Sequence, residues 1–313
     1  MLQGGGALGS YQAGAYAALS EANLDPDWVA GISIGIGELG PDRRQPARVA
    51  RSAPARVLGR ITGGPLELPL IQGEIKGNYL HSLVNEFRAM GVIFAGTPNF
   101  FKPRHPPPFL HAPGTIEALS FYDTSPLRAT LERLVDFDRI NAGKMRLSVG
   151  ATNVRTGNIV YFDTTTHVIG PEHIIASGSL PPGFPPTEIE REFYWDGGVV
   201  SNTPLQWVLD SGPREDTLAF LIDLWSARGE MPRDLAEVDE RMKEIRYSSR
   251  TRLGTDQSKK TQQLRRAIHR LLKQLPSDRR NDPEWKLFEE DANENVYNIV
   301  HLIYHASKYE GSC

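Results

Sequence analysis

Cysteine is almost absent. The one residue, Cys313, stands last in the 313-residue sequence, which excludes an internal disulfide and any cysteine-based zinc cluster. No run of 18 or more apolar residues occurs, so no transmembrane helix is expected. Met1-Leu2-Gln3-Gly4 has neither a basic n-region nor an apolar h-region, so no signal peptide is expected. A net charge of -3 gives no global pull toward nucleic acid. With 40% hydrophobic and 23% charged residues, the chain has a folded rather than a disordered composition. These features predict a cytoplasmic protein long enough for one large α/β domain with an appendage.

What is present is unevenly spread. Arg241 to Leu275 holds 11 Lys/Arg against two acids, Glu244 and Asp256, a local charge of +9; the remainder therefore carries -12. Within that stretch Leu264, Ile268, Leu271 and Leu275 keep the i, i+4, i+7, i+11 spacing of one helix face. Two readings stand. Either a solvated basic face accompanies an apolar stripe docked on the main domain, or 241–275 makes a peripheral contact with an anionic membrane. Nucleic acid is not the expected partner, because no aromatics interleave the charges.

Elsewhere, Ser10 to Ala22 reads as a helix of small residues, and Asp27 to Ser33 as a short strand entering a glycine-flanked turn. Arg146 to Thr152, Asn158 to Phe162 and Thr217 to Leu224 read as strands, and Leu127 to Val135 as a helix. Residues 102–114 hold five prolines and predict a loop. Helices interleaved with apolar strands predict an α/β layered fold. A boundary near Trp225 to Gly229 divides it into 1–225 and a more helical, basic region, 226–313.

Three motifs bear on chemistry. Gly4-Gly5-Gly6-Ala7-Leu8-Gly9 precedes the first helix. Glycines let successive N–H groups turn toward one point, and the helix adds its positive end, so the loop suits a phosphate or an oxyanion. It also satisfies G-x-G-x-x-G, the dinucleotide fingerprint. Gly31-Ile32-Ser33-Ile34-Gly35 is a G-x-S-x-G on a strand-to-helix turn, which lifts a serine hydroxyl above the sheet edge. Asp196-Gly197-Gly198 follows Phe193-Tyr194-Trp195. A carboxylate within reach of a serine can act as its base, although a bare D-G-G is most often an Asx-type turn.

In this order, glycine loop, serine elbow and D-G-G resemble the patatin-like phospholipase family. The resemblance continues through Ala176-Ser177-Gly178-Ser179-Leu180-Pro181 and Ser201-Asn202-Thr203-Pro204-Leu205. The region around Arg246-Tyr247-Ser248-Ser249-Arg250 is similar to the extra C-terminal part of a bacterial subgroup. The resemblance implies a three-layer α/β/α fold with a central, mostly parallel sheet, extended by a more helical C-terminal region. It implies a lipid acyl hydrolase or esterase with Ser33 as nucleophile and Asp196 as base, a dyad without histidine. Gly4, Gly5, Gly6 and Ala7 would form the oxyanion hole, and Gly31, Gly35, Gly197 and Gly198 would shape the elbow and the dyad loop. No cofactor or metal is implied; the partner is a lipid or ester substrate.

The chain also departs from the family. After the elbow it reads Ile36-Gly37-Glu38-Leu39-Gly40-Pro41, and 36–60 carries six arginines and three prolines, the texture of a shifted reading frame. A helix leaving Ser33 is expected to break within two turns. Two other readings therefore stay open. One is a catalytically impaired relative that binds lipid or a partner. The other is dinucleotide binding, which asks for an acid at the end of the second strand, where this chain has Gly-Ile-Ser33. His167 or His173 would be needed for a Ser-His-Asp triad. His301 and His305 lie four apart, but V-Y-N-I-V-H-L-I-Y-H reads as a strand without the Glu of a zinc motif, so no metal is expected.

Overall fold

The computed structural model describes residues 1–33, 96–97, 99–211, 215–276 and 294–304, with positions 283, 285, 288 and 292. The helix break expected over 36–60, and Gly35, lie outside the described residues. The chain divides into two compact units, Gly4–Val200, and Met1–Gln3 with Ser201–Cys313. It is a mixed α/β protein with a sheet at its centre and a helical C-terminal region.

In the first unit, α1 (Gly9–Glu21) follows the glycine loop and leads to β1 (Trp28–Ile32). Two-residue strands β2 (Lys102–Pro103) and β3 (Tyr122–Asp123) pair across the proline-rich segment. Helix α2 (Ser125–Leu134) buries Leu127, Thr130, Leu131 and Leu134, the i, i+3, i+4, i+7 stripe of an amphipathic helix. The one-turn helix α3 (Phe137–Asn141) starts where the Asp136 carboxylate accepts the Arg139 amide. The strand β4 (Arg146–Asn153) is buried from its second residue to its last, the pattern of a strand covered on both faces.

Pairing around β4 sets up the site. On one edge, β5 (Ile159–Asp163) runs antiparallel to it. On the other edge two strands share its length. β1 runs parallel and ends with Ile32 opposite Gly150. β7 (Glu192–Asp196) runs antiparallel and ends with Asp196 opposite Ala151. The C-terminal ends of β1 and β7 thus meet head to head at Gly150 and Ala151. β6 (Thr187–Ile189) adds to the far side of β7. Helix α4 (Pro171–Ser177) packs across β4, β6 and β7, and α2 packs on α4. The core between them includes Ile32, Val149, Ala151, Phe162, Ile174 and Ala176, all buried; a fully buried Ile or Phe contributes roughly 1.5–3 kcal/mol.

In the second unit, β8 (Thr217–Asp223) and β9 (Tyr297–Ile303) are parallel neighbours, and Leu2 forms a parallel bridge to Ile222. Gln3, fully buried, accepts the amides of Leu224 and Trp225 and donates to Thr203 Oγ1, Thr251 Oγ1 and the Tyr247 carbonyl. The short helix α5 (Leu205–Ser211) contacts the 40-residue α6 (Leu235–Gln274). Asp234 caps α6 by accepting the Glu237 amide at 2.8 Å. One face of α6 buries Ser248, Thr251 and Thr255, whereas Leu264 and Leu271 are 61% exposed. Of the stripe Leu264, Ile268, Leu271 and Leu275, the first and third thus face solvent and the other two are half-buried. Among the described residues no helix is long and apolar enough to cross a membrane.

Candidate active site

Ser33 is the first residue beyond β1, in a left-handed turn with φ 65°. Such a φ is uncommon outside glycine, because Cβ crowds the backbone carbonyl. A buried hydroxyl holds the turn. The Ser33 amide donates to Ser177 Oγ at 2.8 Å, and Ser177 Oγ donates to the Gly150 carbonyl at 2.6 Å. Ser177 ends α4 and is wholly buried, so the turn is tied to β4 through the end of that helix.

Asp196 is tied down through its backbone and its carboxylate. Its amide donates to the Ser179 carbonyl at 2.9 Å, and its carbonyl accepts from Thr152 Oγ1 at 3.0 Å. Its carboxylate accepts the Gly198 amide at 2.7 Å and lies beside the Ser33 hydroxyl, which favours its ionised form. Burial pushes the Asp196 carboxyl up to about 6, while those two groups pull it back part of the way. Such a group is mostly ionised at neutral pH, yet more basic than a solvated aspartate. Gly197 fills a place that a side chain cannot: a Cβ there would lie 2.8 Å from the Gly150 carbonyl oxygen and 3.0 Å from the Ile32 side chain.

The structure therefore brings Ser33, Asp196, Gly197 and Gly198 together at the meeting ends of β1 and β7, with Gly31 paired to Val149 two residues before the turn. Gly4, Gly5, Gly6 and Ala7 lie on the separate N-terminal turn of the same unit. There Gly6 has φ 53° and opens a 3₁₀ turn, Gly6–Leu8, that runs into α1. The Leu8 amide bonds back to the Gly5 carbonyl at 3.1 Å, whereas Gly6 and Ala7, at the start of the turn, have no acceptor within it. Sequence reasoning missed three tethering residues, Ser177, Ser179 and Thr152. Ser177 and Ser179 fall in A-S-G-S-L-P, a stretch noted only for its resemblance.

Neither candidate histidine joins the pair. His173 is buried at the start of α4, where its Nδ1 accepts the Gly170 amide and its ring meets Phe162 edge-on. Burial holds its pKa below the ordinary value. His167 contacts Thr166 Oγ1. Among the described residues neither imidazole bonds to Ser33 or Asp196. His301 lies in β9, with Nδ1 2.6 Å from Asp223 Oδ2, and no group of His, Cys, Asp and Glu among the described residues could hold a metal ion.

An α/β scaffold thus sets a serine in a left-handed turn after one strand beside a buried aspartate that ends another. Comparison with known proteins gives two family matches. The model for patatin-like phospholipases matches residues 90–209, and the DUF3734 patatin phospholipase model matches residues 245–313. Both models describe patatin phospholipases, the first over the middle of the chain and the second over its C-terminal region. Among solved structures it is similar to VipD from Legionella pneumophila, at 15% identity and a TM-score of 0.40, over 96% of this chain and 60% of that one. This chain thus spans about 60% of that protein's length. No curated protein matches the sequence.

Proposed function

We propose that the chain is a serine acyl hydrolase acting on lipid esters, with Ser33 as nucleophile and Asp196 as its base. The observation that carries this reading is the placement of Ser33, in a left-handed turn at the end of β1, beside the buried Asp196 carboxylate that ends β7, whose pKa burial raises to about 6. Asp196 takes the Ser33 proton as Oγ attacks the ester carbonyl carbon. The amides of Gly4, Gly5, Gly6 and Ala7 receive the charge that develops on the carbonyl oxygen; losing one such donor costs about 10²–10³ in rate. Collapse of the tetrahedral intermediate expels the alcohol, which recovers the proton from Asp196 and leaves acyl-Ser33. Water, deprotonated by the same carboxylate, then releases the fatty acid and restores the serine.

No metal or cofactor takes part in these steps. Residues 1–225 carry the hydrolase in this reading, and 226–313 is the appended region. The location is cytoplasmic, with the basic stretch 241–275 in peripheral contact with anionic membrane. The test is hydrolysis of p-nitrophenyl butyrate and palmitate by wild type and Ser33→Ala. Turnover by wild type, reduced about 10³-fold or more in the variant, is expected. Equal rates from the two chains would remove the reading.

A further inference from the structure

We propose that the solvent face of α6 between Met242 and Leu271 is a docking surface for an anionic lipid bilayer. It rests on the membrane contact of the reading above and names the face that makes it. At 100° per residue, Met242, Ile245, Leu253, Leu264 and Leu271 fall on one side of the helix, and they are 62%, 50%, 68%, 61% and 61% exposed. Ser248, Thr251 and Thr255, roughly half a turn away, are buried. The helix is thus held by small hydroxyl-bearing residues along its middle and by Leu272 near its end, and turns these five apolar side chains outward.

Charge decides the occupant. From Ile245 to Leu271 there are eight Lys/Arg and one acid, Asp256. Arg246 and Lys260 project within the apolar stripe, and Arg252 and Arg270 border it; all four are exposed. Among the described residues none of these four forms an ion pair. Leucines that enter the acyl boundary, beside cations whose long stems let them reach anionic headgroups, are the signature of a helix lying in a membrane interface. The stripe spans about 40 Å at 1.5 Å per residue, enough to rest on several headgroups at once.

A second copy of the chain fits less well. A helix–helix seam requires an apolar residue every three or four positions, but Asp256, Gln257 and Lys260 interrupt this one between Leu253 and Leu264. Self-pairing would also bring like charges at Arg246 and Lys260 into the seam. A soluble polyanion would engage the arginines and lysines but leave the leucines without a role.

The experiment is co-sedimentation of the full chain, carrying Ser33→Ala to prevent hydrolysis, with vesicles of phosphatidylcholine and phosphatidylglycerol at equal parts. We expect binding that falls about tenfold or more on pure phosphatidylcholine vesicles, and as far in Leu253→Asp/Leu264→Asp and in Arg246→Glu/Lys260→Glu. All four side chains are exposed, and circular dichroism should match wild type. In the Ser33 background, Leu253→Asp/Leu264→Asp should hydrolyse p-nitrophenyl butyrate at the wild-type rate while losing hydrolysis of vesicle lipid. Absence of binding to the anionic vesicles overturns the proposal. So does undiminished binding by the leucine variant, which would mean attraction by charge alone. A wild-type dimer dissociated by the leucine substitutions overturns it in favour of self-association. If no chain hydrolyses any ester but the sedimentation pattern holds, the hydrolase reading fails and the docking surface stands.

Discussion

The Ser33 amide and the Ser177 hydroxyl are 2.8 Å apart, and that contact fixes a backbone conformation serine does not favour. Holding a non-glycine residue in the left-handed region costs about 1–2 kcal/mol. A buried hydroxyl that accepts from one backbone group and donates to another can offset it. Ser177 does both, joining the turn after β1 to the Gly150 carbonyl of β4.

Ser177→Ala leaves a buried amide and a buried carbonyl without their partner. We expect a loss of about 1–3 kcal/mol in stability, measured by urea denaturation. In ester hydrolysis kcat should fall while KM changes little, because the substitution mispositions Ser33 without touching the ester. A variant that unfolds more easily but keeps full kcat would limit Ser177 to a structural role.

Asp196 couples pH to stability in a direction opposite to that of a salt-bridged aspartate. Its folded pKa, about 6, lies above the ordinary aspartate value of 3.8, so the native state holds the proton more tightly than the unfolded chain does. The contribution is complete below about pH 4 and is lost as pH rises through 6; two pKa units correspond to about 3 kcal/mol. Asp196→Asn, which has no charge to bury, should gain on wild type as pH is raised from 4 to 7. Thermal melts at several pH values test this, and a constant difference between the two chains would contradict it.

The same pKa sets the expected rate profile. A base must be ionised to accept the serine proton, so kcat/KM should rise with a midpoint near pH 6 and then level off. A histidine base would titrate in the same range, so the substitutions discriminate. His167→Ala and His173→Ala should retain rates within severalfold of wild type, whereas Asp196→Asn should lose most turnover. A folded histidine variant as slow as Ser33→Ala would make the site a triad.

Gln3 is the hub of the second unit's polar interior. Gln3→Ala strips the Leu224 and Trp225 amides of their acceptor and leaves Thr251 and the Tyr247 carbonyl short of a donor. Each buried group left unsatisfied costs about 1–3 kcal/mol, so a total loss of about 2–5 kcal/mol is expected. A shift of the thermal midpoint under about 2 °C would show that water replaces the side chain.

How far the sequence could be read depended on whether the signal was local. Ser33 and Asp196 were legible because G-x-S-x-G and D-G-G mark the ends of two strands. Ser177 was not, because a serine at a helix end carries no mark of a partner 144 residues away. Gln3 was invisible for the same reason, since its partners are brought to it by chain folding. Periodicity grouped Leu264, Ile268 and Leu271 on one helix face but was silent on which way that face turns. The hydroxyls of Thr203 and Thr251, bonded to each other and to Gln3, favour the opposite face inward. The paired strands β2 and β3 escaped notice because two residues are too few for an alternation to register.

The Ser177–Ser179 segment has a mechanical consequence. Its first residue holds the Ser33 amide by a side chain, and its last holds the Asp196 amide by a carbonyl. Thermal displacement of this helix end carries both partners the same way, a common-mode motion that largely cancels in the distance between them. Anchors on two independent elements would add their fluctuations instead. The separation of Ser33 and Asp196, which the proposed proton transfer needs held to a few tenths of an ångström, is thereby protected by three consecutive residues, and those three cannot drift apart in sequence without retuning both ends.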